Sequence, residues 1–329
     1  MIQDPVPRPD VPRAVVPQPR VHATNLTFVV FAHLAAAFAV VYVATIHFSW
    51  WTLGFGLAWG ILCGLSITAG YHRLFAHRAY TASPLLRAFY LAFGAASVQN
   101  SALAWAADHR AHHANTDTDK DPYNIQRGFW WAHIGWLLHR TRGGVLRGGI
   151  RDLEADPLVR FQHRHYKLLA LVFGAVAPTA IGTTWGDPFG AMLIGCWLRL
   201  VLQWHATFSV NSFAHYFGGQ PYSTANSARD SFLVALITLG EGYHNFHHRF
   251  QIDYRNGVRW YHFDPSKWWV WTAARLGLAA DLRRVPHERI EAARLDAKRR
   301  DEPACYPRGR RASATPPSTT AVPSAVKAE

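Results

Sequence analysis

Cysteine is nearly absent from this chain of 329 residues: Cys63, Cys196 and Cys305 stand far apart, and two of them lie in apolar runs. No disulfide framework and no CxxC metal knuckle can be built from them. Acidic residues are also scarce, 21 against 34 Lys and Arg, giving a formal net charge of +13. Charge of either sign is missing from whole stretches. Between Arg20 and Arg73 there is no Lys, Arg, Asp or Glu, and from Leu168 to Leu198 only Asp187 interrupts. Runs of this kind exceed the roughly 20 residues that a helix needs to cross a bilayer. A soluble domain presenting a basic face to nucleic acid is excluded by that segregation, and a cytoplasmic excess of Lys and Arg beside membrane helices accounts for the same charge. The Pro-rich N-terminus lacks an apolar segment followed by a small-residue cleavage site, so no cleaved signal peptide is expected.

What is present is apolar and aromatic: 50% of residues are hydrophobic, and there are 14 Trp. The expected fold is an all-α integral membrane domain with four transmembrane helices in two hairpins and a cytoplasmic helical cap. The first hairpin runs from Leu26 to about Phe48 and back to about Tyr71. The second uses Leu168 to about Thr184, a turn at Gly186, Asp187 and Pro188, and a return from Phe189 to Val210. Positive-inside bias places both termini and the charged stretch between the hairpins in the cytoplasm. Ala88 to Ala107 is also free of charge between Arg87 and Asp108, but a fifth crossing there would separate histidines on its two sides, so it is read as one interfacial or re-entrant helix. Phe129–Leu138 and Lys267–Ala280, each with three Trp, read as amphipathic pieces at headgroup level. Residues 1–24 form a tail, 25–285 the domain, and 286–329 a basic, mostly disordered tail. Arg199, within the fourth span, has no assigned role.

The chain holds 19 histidines, and eight fall into three clusters: His72 and His77 in HRLFAH, His109, His112 and His113 in HRAHH, and His244, His247 and His248 in HNFHH. Offsets of 0, +3 and +4 in the second and third put all three rings on one helix face, within reach of a common centre. The +5 offset of the first does not stack on a regular helix and suggests a helix end where the chain bends. All three clusters fall on the expected cytoplasmic side, so they can converge. Eight imidazoles exceed what one metal takes and suit two, while ligand type alone leaves Fe, Zn, Cu and Ni open. The paired Glu-x-x-His motifs of a carboxylate-bridged di-iron bundle are not found. Asp108 and Glu241, with Asp117, Asp119 and Asp121, are placed to orient imidazole rings, Asp121 before Pro122 looking most like a turn residue. His33, His133, His163, His205 and the remaining unclustered histidines keep structural roles.

At these residues the chain resembles the membrane fatty acid desaturases, most closely the acyl-CoA delta-9 (stearoyl-CoA type) branch. The likeness covers roughly Thr24 to Arg284 and rests on ITAGYHRLFAHRAY, WAADHRAHHANTDTDKDPYN, GFWWAHIGWLL, NSFAH and GEGYHNFHHRFQIDY. It implies that the eight clustered histidines ligate two irons, that His215 of NSFAH is a ninth ligand, and that Asn211 holds a metal-bound water. It further implies O2 as co-substrate, insertion of a cis double bond into a long acyl chain, and a narrow acyl tunnel lined near its bend by Trp105 and Thr207, with Asn100 and Arg140 toward the thioester headgroup. Where the branch's animal members carry a Glu and an Arg, this chain has Ala104 and Ala107, so a carrier other than CoA, such as acyl carrier protein or a phospholipid, stays open. No haem, flavin or iron–sulfur motif is expected in the chain, and electrons come from a separate ferredoxin, rubredoxin or cytochrome b5 type partner with its reductase. Two rival readings share parts of the pattern: a histidine-rich membrane di-iron hydroxylase of alkanes, sterols or carotenoids, and a membrane metal transporter, which would want its ligands near the bilayer midplane.

Overall fold

The computed structural model describes residues 20–140 and 149–301, and the expectations for residues 1–19, 141–148 and 302–329 lie outside it. The chain is mostly helical, as its apolar runs require. Among the described residues three helices are long and apolar enough to cross a membrane: α1 (Ala23–Ile46), α2 (Trp50–Ala76) and α8 (Tyr166–Trp185). Ser49 separates the first two and caps α2 by accepting from the Thr52 amide. At 27 residues α2 is about 40 Å long, while the hydrocarbon core is about 30 Å thick, so its last turns project beyond the apolar layer. Those turns carry His72.

The stretch Ser66–Ala76 is wound as a π-helix, and the His77 amide closes it by donating to the His72 carbonyl at 3.0 Å. HRLFAH thus does stand at a helix end, with His77 as the C-cap and the chain turning at Arg78 (φ 52°), but the end is wound as a π-helix. In a π-helix bonds run from i to i+5, so the +5 offset that fails to stack on an α-helix stacks here, and the two rings lie 4.8 Å apart.

Ala88–Ala107 is not one helix either. It divides into α3 (Pro84–Ala96) and α4 (Ala102–Asn115), each capped by a serine, Ser83 and Ser101. Between them Val98 and Asn100 adopt positive φ, 48° and 77°, a conformation a β-branched residue takes only under constraint. At 13 residues α3 is about 20 Å long, too short to span. α5, residues 131–138, follows a short loop, and Arg127 lies over the Trp131 ring. Then come α6 (Arg151–Ala155) and α7 (Pro157–Arg164).

α8 turns at Gly186 (φ 79°) into α9, residues 188–211. α9 is as long as α1 but carries Arg199, Gln203, His205 and Asn211, and it is not among the helices apolar enough to span. Asp187 has a structural task at this turn. It accepts from Tyr42 Oη (2.9 Å), Thr52 Oγ1 (2.6 Å) and the Gly190 amide (2.9 Å), tying the α1–α2 end to the α8–α9 turn.

Four short helices complete the cap: α10 (Phe232–Ile237), α11 (His244–Arg249), α12 (Pro265–Arg275) and α13 (His287–Asp301). α13 lies in the segment expected to be a mostly disordered tail. Ile290, Ala293 and Ala297 are buried at helical spacing, and Ile290 packs with Val285, Phe246 and Tyr222, which orders it. Two-residue strands pin the edges, β1 (Arg20–Val21) against β3 (His139–Arg140) and β2 (Thr81–Ala82) against β4 (Ala279–Ala280), both antiparallel.

The cap is locked to α2 by a buried charge network. Arg73, 1% exposed, donates to Glu241 through Nε (3.2 Å) and Nη2 (2.8 Å), and to Asp264 through Nη1 (3.2 Å) and Nη2 (2.9 Å). Asp264 also accepts from the amides of Asn256, Gly257 and Lys267, the last at the start of α12. Removing one partner of a buried pair leaves an uncompensated charge, which typically costs about 3–5 kcal/mol. Asp264→Asn is therefore expected to lower stability by about 3 kcal/mol or more, read as a large drop in Tm of the detergent-solubilised protein; an unchanged Tm would contradict the network's role.

Candidate metal centre

The nine histidines that the motifs and the resemblance singled out come together. Ring nitrogens of His72, His77, His109, His113 and His247 all lie within 4.8 Å of one another, and so do those of His112, His215, His244 and His248. Each set draws on separate elements: α2, α4 and α11 for the first, and α4, α11 and the turn after α9 for the second. Alternation along α4 and α11 divides the clusters between the sets, with His109 and His113 facing one and His112 the other. The sets adjoin, since the His113 and His248 rings stack 4.3 Å apart.

Spacing within each set tests whether a metal fits. For a metal–imidazole bond of about 2.1 Å, neighbouring octahedral ligands stand about 3.0 Å apart and opposed ones about 4.2 Å. Nε2 atoms of the first set are separated by 3.0 Å (His72–His247), 2.8 Å (His77–His109), 3.0 Å (His109–His113) and 2.9 Å (His113–His247). In the second set His244–His248 is 3.0 Å and His112–His248 is 3.3 Å. His215 Nε2 is buried without a hydrogen-bond partner, as a nitrogen reserved for a metal would be. The donor set fits two transition-metal ions held by imidazole.

The far side of three rings fixes which nitrogen carries the proton. His72 Nδ1 donates to Glu241 (2.7 Å) and His112 Nδ1 to Asp121 (2.8 Å). A carboxylate only accepts, so each Nε2 is left with its lone pair facing inward. Burial works against the Glu241 carboxylate, yet the facing His72 and the Arg73 guanidinium hold it down to about 2, so it stays ionised. His215 Nδ1 is held by Ser227 Oγ (2.7 Å), which in turn donates to Asp117 Oδ1 at 2.5 Å.

Other expectations meet mixed outcomes. Asp121 is more than a turn residue: besides His112 it accepts from the Asp117 and Tyr123 amides. Asp108 does not orient a ring; its Oδ1 is buried without a partner, and burial raises its carboxyl to about 6. Asp119 is exposed. Glu241 stands three residues before His244 in a lone Glu-x-x-His, but it orients His72 from behind the set. His33, His205 and His133 form a separate chain at 3.0 Å spacings that ends on Ser212.

Beneath the histidines lies a cavity of about 450 Å³ between α2 and α9, walled mainly by aliphatic side chains and glycine, with His72, His109, His112 and His244 at one end. Trp105, Thr207 and Asn211 line it, and Trp105 stacks on the His109 ring at 4.9 Å. Asn100 does not line it; its amide donates to Tyr166 Oη. The Arg140 backbone pairs with Arg20, while its side chain lies outside the described residues. One residue escaped the sequence reading. Gln99 donates from Nε2 to Thr207 Oγ1 (3.0 Å) and accepts from Trp105 Nε1 (3.3 Å), bracing both lining residues. It stands in the strained break between α3 and α4, where no motif or periodicity marks it.

Fold and site together define a class: a helical protein with membrane-length helices and nine histidines, in two adjoining sets spaced to suit metal ions, at the head of an apolar cavity. Its sequence matches the family model for fatty acid desaturase over residues 48–280, and the chain belongs to that family. It is 48% identical over 242 residues to a "Probable acyl-CoA desaturase" of Schizosaccharomyces pombe, covering 73% of this chain and 50% of that protein. It is 45% identical over 239 residues to "Acyl-CoA desaturase 1" of Saccharomyces cerevisiae (72% and 47%). It is 37% identical over 278 residues to "Stearoyl-CoA desaturase 5" of Bos taurus (82% and 81%). The chain thus spans about half the length of the two yeast relatives and about four fifths of the bovine one.

Loss of a partner that orients a ligand ring typically lowers metal affinity about 10–100-fold. Asp121→Ala is expected to do so here, measured by competitive chelation of the purified protein, and equal metal retention would remove Asp121 from the centre.

Proposed function

We propose that this chain is an O2-dependent fatty-acyl desaturase that places a cis double bond, at the delta-9 position, in a long-chain acyl-CoA. The observation that carries the reading is that the nine-histidine set opens onto an apolar cavity: a metal centre meeting an apolar pocket for hydrocarbon suits chemistry on an unactivated chain better than ion transport or hydrolysis. The relatives' names, acyl-CoA and stearoyl-CoA desaturase, support the same substrate class.

His72, His77, His109, His113 and His247 would hold one iron, and His112, His215, His244 and His248 the other, with Asn211 reaching the second through a water. Bound there, the iron pair supplies activation of O2 and removal of two hydrogens from adjacent methylenes. The chain's own residues do the rest. Glu241, Asp121 and Ser227 fix the ring tautomers. Trp105 and Thr207, braced by Gln99, would set where the chain bends and so which carbons face the centre. Aliphatic walls exclude water from the reacting methylenes. Electrons would come from a separate ferredoxin, rubredoxin or cytochrome b5 type donor.

For placement, α9 would form a fourth crossing, pairing with α8 as α1 pairs with α2, so that the histidines and both termini share the cytoplasmic side. The projecting end of α2 and the adjoining cap support this arrangement.

Cells expressing the chain with an electron donor should accumulate a new monounsaturated acyl species, located by gas chromatography and mass spectrometry after double-bond derivatisation, and a His112→Ala control should not. A hydroxylated product instead would move the assignment to a hydroxylase, and an iron-replete, active His112→Ala would sink the ligand set.

A further inference from the structure

A tunnel sealed from the bilayer is walled by side chains buried on every side, and this cavity is not. Leu57 and Ile61 of α2, Leu202 of α9 and Ile237 of α10 all line it, yet they are 68%, 41%, 61% and 60% exposed. A residue that both lines a cavity and faces the outside stands at its mouth. These four are aliphatic and lie on helices flanking one side of the cavity, so the mouth is a slot along the wall. At the histidine end the lining is different: His72, His109, His112 and His244 are 4%, 7%, 2% and 1% exposed. That end is closed by packed rings.

We infer that the slot between α2 and α9 is a lateral port through which an acyl chain passes between the surrounding leaflet and the cavity, with Leu57, Ile61, Leu202 and Ile237 as its lips. The inference rests on the desaturase reading and on α9 facing lipid. Its occupant is the chain of a long-chain acyl thioester already dissolved in the bilayer. Continuity of the slot with the cavity that ends at the histidines argues for this occupant, and so does the absence of any charged or hydrogen-bonding side chain among the four lips. Sliding sideways keeps every methylene in apolar surroundings, since lipid tails are as apolar as leucine. Threading endwise from the histidine side would drag the terminal methyl through water and past packed imidazoles, exposing apolar surface that the bilayer had covered.

The test uses the full iron-loaded chain in phosphatidylcholine nanodiscs, with stearoyl-CoA as the probe and its exchange on the protein followed by native mass spectrometry. Leu57→Trp with Leu202→Trp narrows the slot and should slow loading and release about tenfold, as a gating step would, with bound iron at the wild-type level. Leu57→Ala with Leu202→Ala widens it and should leave exchange as fast or faster. Should the tryptophan pair fail to fold, Leu202→Cys alkylated with a benzyl maleimide after reconstitution should slow exchange likewise, with wild type treated the same way as reference for the native cysteines. Unchanged exchange in a narrowed, iron-loaded protein overturns the port and leaves endwise entry. Double-bond formation is read separately: a chain that exchanges stearoyl-CoA through the slot without desaturating it would defeat the proposed function and leave the port standing.

Discussion

To hold metal, nine mostly buried imidazoles would each have to turn a lone pair, and not an N–H, toward one of two adjoining volumes. Around three of the nine rings, His72, His112 and His215, the polar neighbours serve that requirement, while the outer nitrogens of His113 and His244 are buried without a partner. Neutral imidazole can carry its proton on either nitrogen, so the outer nitrogen needs an acceptor that never donates. Glu241 and Asp121 provide one directly, and Asp117 does so through Ser227. A buried carboxylate in turn needs cationic or amide partners. Arg73 stands behind Glu241, and backbone amides stand behind Asp121. The stability of the cap and the geometry of the centre are therefore one problem, solved by the same salt-bridged network.

The helical bundle manages its polar groups by a similar economy. Asp187 sits where the α1–α2 end meets the α8–α9 turn and gathers two hydroxyls and an amide. Arg199, 5% exposed inside α9, gives its Nε and Nη1 to the carbonyls of Gly195 and Ala96, and Gln203 links it onward to Ser97 at the start of the α3–α4 break. This anchors the break to α9, and the break holds Gln99 against Thr207. An arginine that looked out of place in an apolar run thus braces the wall of the cavity.

Much of the bundle was legible in the sequence because bilayer thickness writes itself into uncharged run lengths: the helix ends near Ile46, Trp50 and Trp185 fall within a few residues of where charge and turn chemistry placed them. The clusters at His109–His113 and His244–His248 were legible as histidine-bearing helix faces because +3 and +4 spacing is a local property of an α-helix, but the expectation that each cluster's three rings reach one common centre fails, since His112 parts from His109 and His113, and His247 from His244 and His248. Four features resisted. The +5 offset of HRLFAH marks a helix end, which Ala76 and His77 form, but not the π winding of Ser66–Ala76 that brings the two rings together. Gln99 and the role of Asp121 depend on contacts between segments, which no local pattern encodes. The helix His287–Asp301 owes its order to a few buried aliphatic positions in a strongly charged segment.

By itself, then, the sequence determined that the chain is helical and membrane-bound in character, that its histidines are ligand-like, and which family its motifs resemble, since run length, residue type and short-range spacing are local. Only the tertiary structure decided how nine histidines divide into sets of five and four, which carboxylates orient them, and that the cavity is open along one side. Those facts depend on which faces of distant helices meet, and adjacency across the chain is created by packing.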